Sequence, residues 1–282
     1  MKMILRLLAL WLGLLGPFLP MPAQAAGKAL IVGVQPYQPT RSLLAYHENL
    51  AAHLHAALKR PVRIVTAKDA EDFGRRILAG DYELVLAPAH LVRLGQLERG
   101  WHPLARYTPD TPVLLLARKE AADFTPAALK GKTLATPGSI RLVSRAADNW
   151  LASQNLVAER DYTVLETPSA GSTVHALVSG QADMAIATLA SLGQVRGAEV
   201  EKLRIVQEIA TVPLLVFAAR ADTLPDTRTQ LQRALLAYQT PQGSHPVAVE
   251  AHDLALMDVY LNQTRKLLHR SRPATPTRQA AP

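Results

Sequence analysis

Short apolar runs alternate with longer amphipathic segments along most of the chain. The short runs are bounded by turn-forming residues, which is typical of buried strands. They cover residues 29–34, 62–66, 83–87, 113–117, 133–136, 184–187 and 213–218. The longer segments repeat apolar positions at helical spacing and cover residues 42–58, 69–79, 141–153, 173–179, 227–238 and 248–268. This alternation predicts an α/β fold with mainly parallel sheets.

A short pattern occurs twice, at Gly80 and at Gly180. In each copy a predicted helix ends at the glycine, which adopts the left-handed conformation easily, and an acidic residue follows three positions later, where a strand begins. One copy alone is an ordinary helix-to-strand turn, but two copies with similar neighbours favour two related α/β lobes. We predict lobe one from residues 26–116 and 214–268 and lobe two from residues 117–213.

The first 25 residues have the three parts of a secretory signal peptide. Lys2 and Arg6 precede a short apolar run, which ends in an A-x-A motif at Ala25. The alternative is a membrane anchor, but Gly13 and Pro17 interrupt the run, and a membrane span needs about 20 apolar residues. We therefore expect export to the periplasm, cleavage after Ala25 and no membrane-spanning segment in the mature chain.

The net charge of +8 is concentrated at the two ends of the chain. Setting aside the +2 of residues 1–25 and the +5 of residues 265–282 leaves only +1 for residues 26–264. No aromatic residue follows Tyr260, so the charge does not predict a nucleic-acid partner. Residues 269–282 are basic, proline-rich and without apolar periodicity, so we expect a disordered tail; weak attraction to an anionic membrane is the functional alternative.

Enzymatic and metal-binding signals are weak in this sequence. The chain has no cysteine, which excludes a disulfide framework, a thiolate metal site and a catalytic thiol. No hydrolase, phosphate-loop or dinucleotide motif occurs, and His47, His53 and His55 lack the i,i+4 spacing of metal ligands on a helix. We therefore expect no catalysis, no cofactor and no metal site.

Two lobes predict a ligand site in the cleft between them. Loops that follow strands and lead into helices meet such clefts, and helix N-termini favour anions. Four of these loops carry polar candidates: Tyr37 in the first, His90 in the second, Ser139 and Arg141 in the third, and Ser172, Thr173 and His175 in the fourth. Each has a structural alternative as a helix cap or a solvated side chain; Ser139 is also predicted to cap the helix that follows.

At these residues the chain resembles the phosphonate-, phosphite- and phosphate-binding (PhnD-like) family of periplasmic solute-binding proteins. The resemblance covers most of residues 29–245. It includes a G-x-x-x-L-x-x-A-P segment at residues 80–88, an L-x-G-K-T-x-A strand at residues 129–135 and a G-x-A-D segment at residues 180–183. The resemblance implies a type II periplasmic binding protein fold, in which two α/β lobes joined by a hinge enclose a ligand cleft.

The resemblance also implies how the ligand is held. Family members use hydroxyls at the start of the second-lobe helix, backbone amides and a histidine, which points to Ser139 and His175 here. The family loop reads approximately S-x-S-G, whereas residues 137–141 of this chain contain one hydroxyl, at Ser139. We hypothesise that Arg141 replaces the missing hydroxyls with a formal charge, which would suit a dianion or a carboxylate.

These observations predict a monomeric protein that captures a small oxyanion by lobe closure and delivers it to an ABC permease. Ser139, Arg141 and the 172–175 loop of lobe two would hold the anion, and Tyr37 and His90 of lobe one would close over it. One alternative is a binding protein for an organic sulfonate or a thiamine precursor, which would need an apolar wall in the cleft. Another is a periplasmic sensor subunit that presents the bound state to a membrane histidine kinase.

Overall fold

The computed structural model describes residues 28–121, 125–213 and 215–269. The predicted signal peptide and the predicted tail beyond residue 269 lie outside the described residues. The strands are β1 (Leu30–Val34), β2 (Val62–Val65), β3 (Leu84–Pro88), β4 (His102–Tyr107), β5 (Thr111–Arg118), β6 (Thr133–Thr136), β7 (Thr163–Glu166), β8 (Met184–Ala187), β9 (Leu203–Val212), β10 (Leu215–Ala219) and β11 (Pro246–Ala248).

The helices fill the intervals between these strands. They are α1 (Thr40–Tyr46), α2 (Glu48–Leu58), α3 (Ala70–Ala79), α4 (Ala89–Arg99), α5 (Leu142–Ser153), α6 (Ala170–Val178), α7 (Leu189–Leu192), α8 (Gly197–Val200), α9 (Pro225–Leu236), α10 (Ala251–Ala255) and α11 (Asp258–His269), with a short 3₁₀ helix at Pro126–Leu129. The predicted helix over residues 42–58 is interrupted at His47, and the one over residues 248–268 is interrupted between α10 and α11.

The first sheet has the strand order β11-β4-β10-β3-β1-β2. β1 runs parallel to β2 and β3, whereas β10 and β4 run antiparallel to their neighbours. Helices cover both faces, because β1 and β3 are apolar throughout. Leu50 of α2 and Leu231 of α9 belong to the core of one face, and Phe73 of α3 and Leu94 of α4 belong to the core of the other. We call this sheet, with α1–α4 and α9–α11, lobe one.

The second sheet has the strand order β7-β6-β8-β5-β9. β6 runs parallel to β7 and β8, and β5 runs antiparallel to β8 and β9. Val174 and Leu177 of α6 are buried in the core on one face, and Ala147 and Leu151 of α5 on the other. We call this sheet, with α5–α8, lobe two. Both sheets are therefore mixed, and the prediction of mainly parallel sheets was wrong.

The chain crosses between the lobes twice. β4 ends in the first sheet at Tyr107, and β5 begins in the second at Thr111; the return crossing lies between Val212 and Leu215. The second boundary was expected near residue 213. The boundary expected near residue 117 is wrong, because residues 111–118 pair with β9 along their whole length and belong to lobe two.

The pattern that occurs twice forms the same turn in both lobes. Gly80 and Gly180 have φ values of 78° and 77°, in the left-handed region that glycine adopts without strain. Three residues later the backbone N–H of Glu83 donates to the carbonyl of Ile31 at 3.0 Å, and that of Asp183 donates to the carbonyl of Thr133 at 2.9 Å. Each acidic residue thus opens a strand by joining its parallel neighbour.

The last helix, α11, contacts both lobes. In lobe one the Arg93 guanidinium pairs with Asp258 at 2.7 Å, and Glu98 pairs with Arg265 at 2.6 Å, which fixes α11 against α4. In lobe two the Arg145 Nη1 atom donates to the Gln263 Oε1 atom at 2.6 Å, which joins α5 to α11. α11 is therefore a third connection between the lobes, in addition to the two crossings.

Candidate functional site

Two adjoining cavities, of about 450 Å³ and about 950 Å³, lie between the lobes. The residues that line both are Tyr37, Gln38, Pro137, Arg141 and Gln194. Because the cavities share residues from both lobes, they are two parts of one cleft. The crossing segment at Thr108 and Pro109 also lines the smaller cavity, which we call the inner cavity; the larger one is the outer cavity.

Arg141 faces both cavities from lobe two. It is the residue before α5, at the end of a loop whose turn places Gly138 at a φ of 85°. Its Nη2 atom donates to the carbonyl of Pro36, in lobe one, at 3.3 Å. Burial lowers the pKa of the guanidinium, and the negative charge of Glu71 acts in the opposite direction. Among the described residues no carboxylate lies within ion-pair distance of Arg141, so its charge is available to an anion.

The lobe-one wall of the inner cavity is aromatic and uncharged. It presents Tyr37, Tyr46 and Tyr107, and the Tyr37 hydroxyl is 2.9 Å from the Nε2 atom of His47. The His47 ring also stands edge-on to Tyr46, with the ring centroids 5.1 Å apart. Burial lowers the pKa of His47 to about 4, so this imidazole is neutral at pH 7. Among the described residues that line this cavity, Arg141 is the only formal charge.

The outer cavity is more polar and has acidic residues on both sides. Asp69 and Glu71 line it from lobe one, and Glu166 lines it from lobe two, with Lys68 at the lobe-one rim. Asp69 caps α3 by accepting a hydrogen bond from the backbone N–H of Asp72 at 2.7 Å. Arg141 therefore stands between an uncharged compartment and an acidic one.

Tyr37 and Arg141, two of the predicted ligand contacts, line the cleft; their role in binding stays a prediction. His90 lines neither cavity, although it was expected to close over the ligand. Its side chain is 0% exposed, and its Nε2 atom lies 2.9 Å from the carbonyl of Ile140, in lobe two. Burial also lowers the pKa of His90 to about 4. His90 was predicted as a cleft residue because it follows β3. In the structure its side chain lies beneath the cleft, not in it.

Ser139 does not cap α5, contrary to the prediction. The helix begins at Leu142, so Arg141 occupies the capping position without a side-chain hydrogen bond to the helix. Ser139 lines neither cavity. The turn at Gly138 and Ile140 moves the helix start beyond Ser139, because the Ile140 side chain enters the core.

The segment of residues 167–175 contributes different residues to the cleft from those predicted. Ser169 is the cap of α6 and accepts from the backbone N–H of Ser172 at 3.1 Å, while the Ser172 hydroxyl lies 2.8 Å from that of Ser169. Thr173 is buried, and its hydroxyl lies 2.6 Å from that of Thr167. Ser172 and Thr173 thus stabilise the loop, and neither lines a cavity. Thr167 and Ser169 line the outer cavity instead.

His175 lies away from the cleft. It is an exposed residue in the last turn of α6 and lines neither cavity. The helix starts at Ala170, three residues earlier than predicted, so the position one turn into it is Val174, which faces the core. His175 therefore lies outside the two cavities, and its role as a ligand contact stays a prediction.

Sequence reasoning missed Tyr46, His47 and Tyr107 as cleft residues. His47 was weighed only as a metal ligand, and the break between α1 and α2 that turns it inward has no proline or glycine to mark it. Tyr107 ends β4 just before the first crossing, a strand that the pattern did not predict. Because the crossing was predicted near residue 117, ten residues further along, no signal in the sequence pointed to Tyr107.

No helix within residues 28–121, 125–213 and 215–269 is long and apolar enough to cross a membrane. The same part of the chain contains no group of three or more His, Cys, Asp or Glu residues placed to hold a metal ion.

Two α/β lobes with mixed sheets, joined by two crossings and enclosing a cleft, define the class of two-lobed periplasmic binding proteins. Solved structures of that class share the fold. A binding component of a Pseudomonas aeruginosa ABC phosphonate transporter superposes with a TM-score of 0.71 at 12% identity, over 87% of this chain and 90% of that chain. PhnD1 of Prochlorococcus marinus, in complex with methylphosphonate, gives a TM-score of 0.73 at 12% identity, over 85% and 99%.

A third similar structure is a Xanthomonas citri protein bound to ATP, with a TM-score of 0.70, 16% identity and coverage of 84% of this chain and 98% of that chain. No curated protein matches the sequence. The family model described as "ABC transporter, phosphonate, periplasmic substrate-binding protein" matches residues 32–258. The chain belongs to that family, which confirms the resemblance seen in the sequence. It is therefore a periplasmic substrate-binding component of an ABC transporter of the phosphonate type.

Proposed function

We propose that the inner cavity binds an oxyanion of the phosphonate type, with the anion on Arg141 and its organic substituent against Tyr37, Tyr46 and Tyr107. The lobes close over this ligand, and the closed form presents it to the permease. The observation that carries the proposal is the half-buried guanidinium of Arg141, which faces the cleft with no carboxylate partner among the described residues.

A buried charge is costly unless an opposite charge or several hydrogen bonds compensate it. Arg141 has one hydrogen bond, to the carbonyl of Pro36, and the carboxylate of Glu71 influences it only from a distance. An oxyanion would supply the missing charge and would accept two hydrogen bonds from the planar guanidinium. The unoccupied donors therefore favour an anionic ligand at this position.

The rest of the inner cavity favours a substituent that is uncharged and larger than a methyl group. Its volume of about 450 Å³ lies within the range of about 300–1,000 Å³ that is typical of organic ligand sites. Among the described residues in its lining there is no carboxylate to compensate a cationic amine. The rings of Tyr37, Tyr46 and Tyr107 offer such a substituent an aromatic surface, which supports an organic ligand of the phosphonate type.

The similar structures support a phosphorus oxyanion that carries an organic group. One of them holds methylphosphonate and another holds ATP. For this chain we propose export through the N-terminal signal peptide, action as a monomer in the periplasm and no catalytic step.

Calorimetric titration of the purified protein tests the proposal. The probes are phenylphosphonate, methylphosphonate, 2-aminoethylphosphonate, methanesulfonate and inorganic phosphate. We expect phenylphosphonate to bind most tightly and Arg141→Ala to weaken it by at least about thirtyfold, because a charge-assisted bidentate contact is lost. Arg160→Ala, on an exposed arginine of lobe two, is the matched control and should bind as the wild type does. An Arg141→Ala protein with wild-type affinity would overturn the proposal.

A further inference from the structure

Lobe one holds the loop of residues 137–141 at two points. The Nε2 atom of His90 donates to the carbonyl of Ile140 at 2.9 Å, and the carbonyl of Pro36 accepts from Arg141 at 3.3 Å. Ile140 and Arg141 are consecutive residues. The His90 hydrogen bond therefore holds the backbone directly before the residue that carries the cation of the cleft.

His90 is placed under the floor of the cleft. It lies in the first turn of α4, directly after β3, whose last residue, Pro88, pairs with Leu215 at the return crossing. Because the side chain is fully buried, water does not compete for its hydrogen bond to Ile140. A carbonyl oxygen only accepts, so the Nε2 atom carries the proton.

Packing alone does not explain an imidazole at this position. The Nδ1 atom of His90 is buried and has no hydrogen-bond partner within the part of the chain that the structure describes. A leucine or methionine of similar size would fill the space without a polar atom that lacks a partner, and such an atom destabilises a folded protein. The bond to Ile140 is the one interaction of the ring that an apolar side chain cannot replace.

From this geometry we propose that His90 is a positioning residue for anion binding. By fixing the carbonyl of Ile140, it holds the 137–141 loop in the conformation that directs Arg141 into the cleft, so less loop entropy is lost when the anion binds. His90 touches no ligand and acts through Arg141. The inference rests on the proposed anion site at Arg141.

Three substitutions separate the hydrogen bond from the packing. His90→Leu removes the donor and keeps the volume; His90→Asn keeps a polar group that is too short to reach Ile140; His90→Gln carries an N–H donor near the original Nε2 position. Calorimetry with methylphosphonate and phenylphosphonate should show about tenfold weaker binding for His90→Leu and His90→Asn. His90→Gln should stay within about threefold of the wild type. His175→Gln, at the exposed histidine of α6, is the control and should bind normally.

A double-mutant cycle with Arg141→Ala tests whether His90 acts through that arginine. In the Arg141→Ala background, a second substitution of His90 to Leu or Asn should weaken binding no further. An equal loss in both backgrounds would overturn the inference, because His90 would then act on the whole lobe. Wild-type affinity in His90→Leu and His90→Asn would also overturn it. If the His90→Leu protein does not fold, the affinity of His90→Asn alone provides the test.

The two proposals fail in different ways. If Arg141→Ala binds as the wild type does, or if the wild type binds neither phosphonate, the proposed function fails and this inference falls with it. If Arg141→Ala loses binding while both His90 variants retain it, only the role of His90 is refuted.

Discussion

The hydroxyl of Tyr37 and the Nε2 atom of His47 lie 2.9 Å apart and join the first loop of lobe one to the break between α1 and α2. This hydrogen bond fixes two side chains of the inner cavity to each other. Because the pKa of His47 is lowered to about 4, the pair is uncharged at neutral pH. The wall opposite Arg141 is therefore neutral because its histidine is buried.

Two buried histidines predict that the stability of the protein decreases in mild acid. The pKa values of His47 and His90 are about 4 in the folded protein, below the ordinary value of 6.5, so the unfolded chain takes up protons first as the pH falls. Their contribution is complete above pH 6.5 and is lost between pH 6.5 and 4. Each can contribute up to about 3 kcal/mol at neutral pH.

Urea unfolding as a function of pH measures this effect. The free energy of unfolding of the wild type should decrease steeply between pH 6.5 and 4, and His47→Gln or His90→Gln should each flatten the decrease. His175→Gln should leave the slope unchanged, since that residue is exposed. Identical slopes in all four proteins would contradict the prediction.

Tyr46→Ala should reduce the preference of the protein for phenylphosphonate over methylphosphonate. The side chain lines the inner cavity and is 41% exposed, so its removal leaves no hole in the core. Affinity for phenylphosphonate should fall about five- to tenfold, because an aromatic contact contributes about 0.5–1.5 kcal/mol, whereas affinity for methylphosphonate should change less than about twofold. Calorimetry compares the two ligands. Val259→Ala, at an exposed apolar residue of α11, is the control; equal losses for both ligands would refute the assigned wall.

Glu71→Gln should strengthen anion binding. The carboxylate acts electrostatically on Arg141 across the cleft and so competes with a bound anion. Removal of that charge should raise the affinity for methylphosphonate about two- to fivefold at low salt, and 0.5 M NaCl should reduce the gain through screening. Glu199→Gln, on α8, controls for the change in net charge. Weaker binding by Glu71→Gln would mean that Glu71 contacts the ligand itself.

Ser169→Ala should destabilise the protein and leave Arg141, the cation of the inner cavity, in place. Its hydroxyl caps α6 and contacts Ser172, and loss of such a cap costs about 1 kcal/mol. Thermal unfolding should show a decrease of a few degrees in Tm. Ser153→Ala removes only two local, exposed hydrogen bonds at the end of α5 and should change Tm less. Equal Tm values for Ser169→Ala and the wild type would exclude the capping role.

The sequence pattern predicted the strands that are apolar throughout, since burial on both faces leaves a continuous run. β6 and β8 have the predicted bounds, β1 begins one residue later than predicted, and β3 is shifted by one residue at both ends. β9 was missed because it alternates buried and exposed positions, with charged or polar residues at Arg204, Gln207 and Glu208. An edge strand that faces solvent on one side resembles a polar loop in sequence.

The cleft was only partly predictable, because its residues come together through the arrangement of the two lobes. Arg141 was found because a cation follows a strand and precedes a helix. His90 satisfies a similar rule, yet it is completely buried, since its direction depends on how α4 lies against the 137–141 loop. Tyr107 joins the wall because β10 and β11 place the end of β4 beside the cleft, and local sequence does not encode that pairing.

The attachment of α11 to both lobes limits how the cleft can open. Besides the two strand crossings, ion pairs hold α11 to α4, and its Gln263 contacts Arg145 of α5. Any rotation that keeps this helix docked on α4 either pivots about the Arg145–Gln263 contact or breaks it. Gln263 therefore links the movement of lobe two to the position of α11 on lobe one.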